Sequence, residues 1–197
     1  MTASFPEALA ALAPVVDVLE RLGVRYHIGG SLASSTHGLP RSSADVDVIA
    51  ELRPEHVDDL VAALDADYYV DGTHARDAIR STTSFNLIHL DTMMKVDIFV
   101  SEAGEFPRQE QARARPESFG QGESTRIFMV KSPEDLVLRK LLWYRAGGET
   151  SERQWSDVVG VLKIRGAQLD GSYLDQWATE LQVADLLERA RRDAAEA

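Results

Sequence analysis

Apolar residues at Phe5, Leu9, Leu12, Val16, Leu19 and Leu22 recur in steps of three and four. That spacing predicts an amphipathic first helix, which Gly23 ends. Val24 to Ile28 reads as a short strand running into Gly29-Gly30-Ser31, and Leu32 to Thr36 as a small-residue helix stopped by Gly38 and Pro40. Asp45 to Ala50 alternates acids with aliphatics, the period of a strand with one apolar face. Pro54 opens a further helix through Val57, Leu60, Val61 and Leu64. Phe85–Leu90 and Met93–Val100 are β-rich runs either side of Asp91-Thr92, which predicts a hairpin.

From Ala103 to Glu123 the chain turns polar, with Pro107, Pro116, Gly120 and Gly122, and reads as a long loop. A strand over Thr125–Val130 follows, and then helices. Ser132-Pro133-Glu134-Asp135 is a helix start, with Ser as N-cap, Pro at the first position and acids in the first turn. That helix runs to about Arg145 and ends at Gly147-Gly148. Further helices are predicted over Glu152–Ile164, Ser172–Thr179 and Val183–Ala194. The fold class is therefore α+β: a mixed-sheet core over residues 1–105, a loop or linker over 106–124, and a mainly helical region over 125–197.

Charge narrows the functions. In 197 residues, 21 Lys and Arg face 32 Asp and Glu, a net charge of −11. So acidic a chain does not attract phosphate backbones or anionic membranes in general, and contact with RNA or a nucleotide needs a local basic site or metal ions. The absence of cysteine excludes disulfides, thiolate zinc sites and a cysteine nucleophile. Ala8–Val16, the longest apolar stretch, is far short of the ~20 residues of a membrane helix. With no basic leader either, the sequence predicts a soluble cytoplasmic protein.

The most informative stretch is Gly29-Gly30-Ser31 followed by Asp45-Val46-Asp47. Asp-x-Asp alone carries little weight, and Asp65-Ala66-Asp67 is a decoy. On a strand, however, Asp45 and Asp47 point to one side while Val46 and Val48 point into the core. Carboxylates held that close repel each other unless a divalent cation neutralises them. Asp97, in Lys95-Val96-Asp97-Ile98-Phe99, adds a third acid on another predicted strand. Three such groups make a cradle for one or two Mg²⁺ (or Mn²⁺), hard cations that take oxygen ligands. The Gly-Gly-Ser turn supplies backbone N–H groups that a phosphate approaches closely. A phosphate clamp beside a metal cradle suits a nucleoside triphosphate.

Ile28-Gly29-Gly30-Ser31, thirteen intervening residues, Asp45-Val46-Asp47 and then Val96-Asp97-Ile98 resemble the signature of the polymerase-β-type nucleotidyltransferase superfamily. Arg41, just ahead of the acidic pair, resembles the branch of AbiEii-type toxins from type IV toxin–antitoxin systems. In that branch a later helix carries a lysine and the next an aspartate; Lys140 and Asp157 occupy comparable places. The chain departs from the branch's usual Arg-Asp pairing at Trp155-Ser156, with the nearest arginine at Arg153.

The resemblance implies a Mg²⁺-dependent transferase that moves a nucleotidyl group from an NTP to an acceptor hydroxyl. Asp45, Asp47 and Asp97 would be the metal ligands of two ions, with Asp97 also deprotonating the acceptor. Gly29, Gly30, Ser31, Arg41 and Lys140 would bind nucleotide, Asp157 would orient Lys140 or the acceptor, and the helical region would complete the cleft. It further implies a tRNA 3′ end as acceptor and a neutralising antitoxin as partner. Small-molecule and protein hydroxyls are acceptors elsewhere in the superfamily.

Seven basic residues against five acids between Lys131 and Arg165 make that window net positive, and Lys140 and Arg145 are its candidates for reaching phosphate. A serine hydrolase is the rival enzyme, since Gly29-Gly30-Ser31-Leu32-Ala33 approaches a nucleophile elbow, but no histidine follows His89. A non-catalytic, antitoxin-like binding module is the other alternative; three clustered acids are electrostatically expensive to keep without chemistry. His27, His37, His56, His74 and His89 lack zinc spacing.

Overall fold

Among the described residues, seven short strands carry the architecture: β1 (Tyr26–Ile28), β2 (Asp45–Ala50), β3 (Tyr68–Tyr69), β4 (Ser84–His89), β5 (Lys95–Val100), β6 (Arg115–Phe119) and β7 (Arg126–Val130). They join in one sheet in the order β3-β4-β5-β2-β1-β7-β6. The computed structural model describes residues 5–38, 45–120 and 125–196. β2 runs parallel to β5, and β1 parallel to β7; β1–β2, β3–β4, β4–β5 and β6–β7 are antiparallel. The chain forms two compact units, residues 1–32 with 42–130 and residues 33–41 with 131–197.

In the first unit, strict alternation assigns each strand residue to a face. Val46, Val48 and Ala50 of β2, Val96, Ile98 and Val100 of β5, and Phe85 and Leu87 of β4 are all buried. Helix α1 (Phe5–Arg21) packs on this face through Ala11, Leu12, Val15 and Leu19, and the Tyr68 hydroxyl donates to the Ala11 carbonyl at 2.7 Å. The opposite face of β2, β4 and β5 is half-buried and holds Asp45, Asp47, Lys95, Asp97, Asn86 and Ser84.

The second unit is helical. It contains the end of α2 (Gly30–His37), then α6 (Pro133–Ala146), α7 (Glu152–Arg165), α8 (Gly171–Glu180) and α9 (Ala184–Glu196). The helix start read at Ser132 is formed: its hydroxyl accepts from the Asp135 amide at 3.1 Å, and Pro133 sits at the first turn. Asp135 is held in turn by Ser132 Oγ at 2.5 Å and Tyr173 Oη at 2.6 Å, which ties α6 to α8.

The α+β reading therefore holds, with three local differences. The stretch expected as a loop carries helix α5 (Glu105–Arg113) and β6. Its polar composition hides that burial of Phe106 and Glu110 anchors α5. Pro116 is tolerated because β6 is an edge strand, where a missing N–H costs no ladder bond. Helices α3 (Val57–Leu64) and α4 (Gly72–Ser81) follow β2, and no apolar run signals α4. It forms because Asp71 caps it, accepting from the Thr73 and His74 amides at 2.9 and 3.1 Å, while Ala75, Ala78 and Ile79 are buried. The hairpin turn is longer than two residues: Met93, at φ 56, donates its amide to the His89 carbonyl at 2.8 Å. Among the described residues no helix is long and apolar enough to cross a membrane.

Ile98 lies between Val48 and Phe85 in the ladder and is 1% exposed. Truncating it to alanine leaves a cavity in the centre of the sheet. Ile98→Ala is expected to lower unfolding stability by about 2–5 kcal/mol, read from urea denaturation.

Candidate active site

The acids come together because two strands run in register. Parallel pairing sets Asp47 opposite Asp97 and Asp45 opposite Lys95. With side chains alternating, these four groups share the half-buried face, about 4.8 Å apart across the strands. Asn86 of β4 stands opposite Asp97 on its other side.

The Gly-Gly-Ser turn meets this face at one point. The Gly29 amide donates to the Asp47 carbonyl at 2.9 Å, extending the β1–β2 pairing by one bond. Gly30, the first residue of α2, has φ +50, a left-handed conformation that costs any side chain. Its missing Cβ is required a second time, because a Cβ there would overlap Oδ2 of Asp47 outright. The Asp47 carboxylate thus lies in the space that glycine leaves open at a helix N-terminus. The adjacent Ser31 hydroxyl is 3% exposed and has no hydrogen-bond partner among the described residues.

Lys95 escaped the sequence reading, although it stands two residues before Asp97 on a strand and so shares its face. Its Nζ bonds Asp97 Oδ2 at 2.8 Å. That hydrogen bond, together with attraction from Asp97, Asp45 and Asp47, holds the Lys95 pKa above the ordinary lysine value against the opposing effect of burial. The acidic face therefore carries a fixed positive charge.

Carboxylate oxygens from paired aspartates suit a hard divalent cation, and the face has the charge to attract one. Asp45 and Asp47 are the residues that would hold it. Among the described residues, however, no three acidic or histidine groups converge as a ready-made cage. The Asp97 oxygen that would complete one is bonded to Lys95 instead.

Lys140 and Asp157 are brought together within the helical unit. Lys140 Nζ bonds Asp157 Oδ2 at 2.7 Å and Gln154 Oε1 at 3.2 Å, with the Lys140 and Asp157 side chains only 4% and 8% exposed. Ser34 Oγ donates to the same Asp157 oxygen at 3.3 Å. Arg145, read as a phosphate-reaching residue, is instead bonded to both Asp185 oxygens at 2.6 and 2.7 Å. Trp155, where the expected arginine is missing, donates its indole N–H to Asp193 at 2.8 Å, with the Arg189 guanidinium 4.4 Å over its ring. Arg41 lies outside the described residues.

Compared by sequence, the chain matches no protein-family model and no curated protein. Solved structures give a clearer likeness. A crystal structure of an antigenic nucleotidyltransferase-like protein from Paracoccidioides brasiliensis superposes with TM-score 0.53 at 16% identity, over 94% of this chain and 92% of that one. The antibiotic-resistance factor ANT(2″)-Ia in complex with adenylyl-2″-tobramycin gives TM-score 0.53 at 12% identity, over 88% of this chain and 96% of that one. Its solution structure gives 0.50 at 13%, over 95% and 94%. The chain has the fold found in nucleotidyltransferases.

Two outcomes test this geometry. Gly30→Ala places a methyl group on the Asp47 carboxylate and strains a left-handed backbone, the latter alone costing about 1–2 kcal/mol. Its melting temperature should fall. Asp157→Asn leaves a buried ammonium without its counter-charge and should destabilise by about 3–5 kcal/mol, whereas Lys140→Met combined with Asp157→Leu should recover most of that loss in thermal melts.

Proposed function

We propose that this chain transfers a nucleotidyl group from a nucleoside triphosphate to an acceptor hydroxyl, releasing pyrophosphate. The observation that supports it is the junction of Asp47 and Gly30: a carboxylate fills the gap left by a glycine at a helix N-terminus, beside the buried Ser31 hydroxyl, which has no hydrogen-bond partner among the described residues. Metal-facing and phosphate-facing groups are adjacent, as a triphosphate requires.

In this reading Asp45 and Asp47 hold Mg²⁺, which supplies charge neutralisation at the triphosphate. Backbone amides of Gly29-Gly30 and the Ser31 hydroxyl hold the terminal phosphates. Asp97 accepts the proton of the acceptor hydroxyl as its oxygen bonds to the α-phosphorus and the bond to the β-phosphate oxygen breaks. The parts that the resemblance implies for Lys140 and Asp157 are read in the same assay from Lys140→Met.

Two acceptors have separate support. The AbiEii-like motifs favour an RNA acceptor, a tRNA 3′ end, with an antitoxin partner and a cytoplasmic setting. The net charge of −11 favours a cationic small-molecule alcohol, as does the fold shared with a protein captured with adenylyl-2″-tobramycin.

Incubation with Mg²⁺ and each α-labelled NTP, in the presence of total RNA, an aminoglycoside or cell extract, separates them by where the label goes. Asp45→Asn should lower transfer at least about a thousandfold, the effect of losing several kcal/mol of charge stabilisation. Its fold should be retained, because a like-charge repulsion is relieved. Full activity in Asp45→Asn would overturn the assignment, and no transfer to any acceptor together with no Mg-NTP binding would favour a binding module.

A further inference from the structure

We propose that Lys95 is a tethered cation that occupies Asp97 in the metal-free protein and competes with a divalent ion for that carboxylate. The inference rests on reading Asp45, Asp47 and Asp97 as the metal-facing groups.

The register fixes the positions of the four charges. Asp45 and Lys95 are paired across the strands, as are Asp47 and Asp97, so each corner of a small rectangle on the half-buried face bears a charge. The ammonium is the single positive corner. It bonds Asp97 Oδ2 at 2.8 Å and lies within the fields of the other two carboxylates. A divalent ion on Asp45 and Asp47 leaves the Lys95–Asp97 bond in place. A second ion ligated through Asp97 Oδ2 must displace the ammonium from that oxygen.

The side chain is suited to such a displacement. Lysine is a point charge on a flexible stem, and Lys95 is 43% exposed while its Asp97 partner is 19% exposed. The ammonium can move into water without opening the core, because Val96 and Ile98 fill the opposite face. Half-exposed ion pairs contribute little to stability, so anchoring the strand does not account for it. Its consequence falls on cation affinity: the third carboxylate is held in place by the ammonium, yet its Oδ2 is closed to metal until an incoming ion outcompetes the lysine.

The test is Mn²⁺ binding to the full chain without nucleotide, followed by electron paramagnetic resonance of the free ion. Lys95→Met should bind Mn²⁺ about tenfold more tightly than the wild type, since no ammonium then competes for Asp97 Oδ2. Lys95→Arg should bind like the wild type, and Lys95→Met should add nothing in an Asp97→Asn background. Equal affinity of Lys95→Met and wild type would overturn the proposal, as would a melting temperature that shifts with affinity unchanged, which marks a purely structural pair. Asp45→Asn separates the two levels. If it weakens Mn²⁺ binding while Lys95→Met changes nothing, only the lysine inference fails. If it too leaves binding unchanged, the metal-facing reading fails and takes the lysine inference with it.

Discussion

The parallel pairing of β2 with β5 is the constraint on which the candidate chemistry depends. It brings three carboxylates to one face at the distance of neighbouring strands, where each like-charge pair repels by up to a few kcal/mol even at an effective dielectric near 20. The repulsion among the carboxylates disfavours such an arrangement, and Lys95 offsets only part of it. The opposite face fixes the arrangement: Val46, Val48, Val96 and Ile98 are buried together, and a slip of one residue would turn them out and the acids in. The hydrophobic core thus imposes a register that the charges alone would oppose.

The same logic explains what the sequence makes legible. Alternation in Asp45–Ala50 and Lys95–Val100 is enough to define both strands and the face of each acid, and Gly29-Gly30 marks a turn that needs glycine. Lys95 is not legible in the same way, because an exposed lysine on a strand reads as solvated. Only the pairing of β2 with β5 shows that it faces three carboxylates. Helix α5 and strand β6 are hidden for a different reason. Their proline-bearing, polar segments are held by tertiary burial of Phe106, Glu110 and Phe119 and not by local propensity.

Lys140 and Asp157 show how one pair of residues supports two accounts. A buried ion pair rarely adds net stability over apolar residues of the same size, but once present each partner depends on the other. Here Gln154 bonds the lysine and Ser34 the aspartate, both from within the helical unit. Its geometry explains why both charges persist there: burial makes the loss of either costly, whatever else the lysine does. Sequence matching alone, which sees a helical Lys and a later Asp, cannot distinguish a charge kept for packing from one kept for phosphate.

The likeness to solved nucleotidyltransferases at 12–16% identity has the same physical basis. A sheet order and its helices are specified by which positions are apolar, and very many sequences satisfy that pattern. Chemistry is specified by far fewer positions: in the function proposed above, the acids at 45, 47 and 97, a glycine at 30 whose missing Cβ leaves room for the Asp47 carboxylate, and a lysine at 95 bonded to Asp97. The first four belong to the signature the chain resembles. The lysine emerges only through the register, and it is the feature that a comparison of folds, blind to side chains, would pass over. Fold similarity therefore accounts for the shared sheet and helices, while the bond between Lys95 and Asp97 belongs to this chain's own side chains.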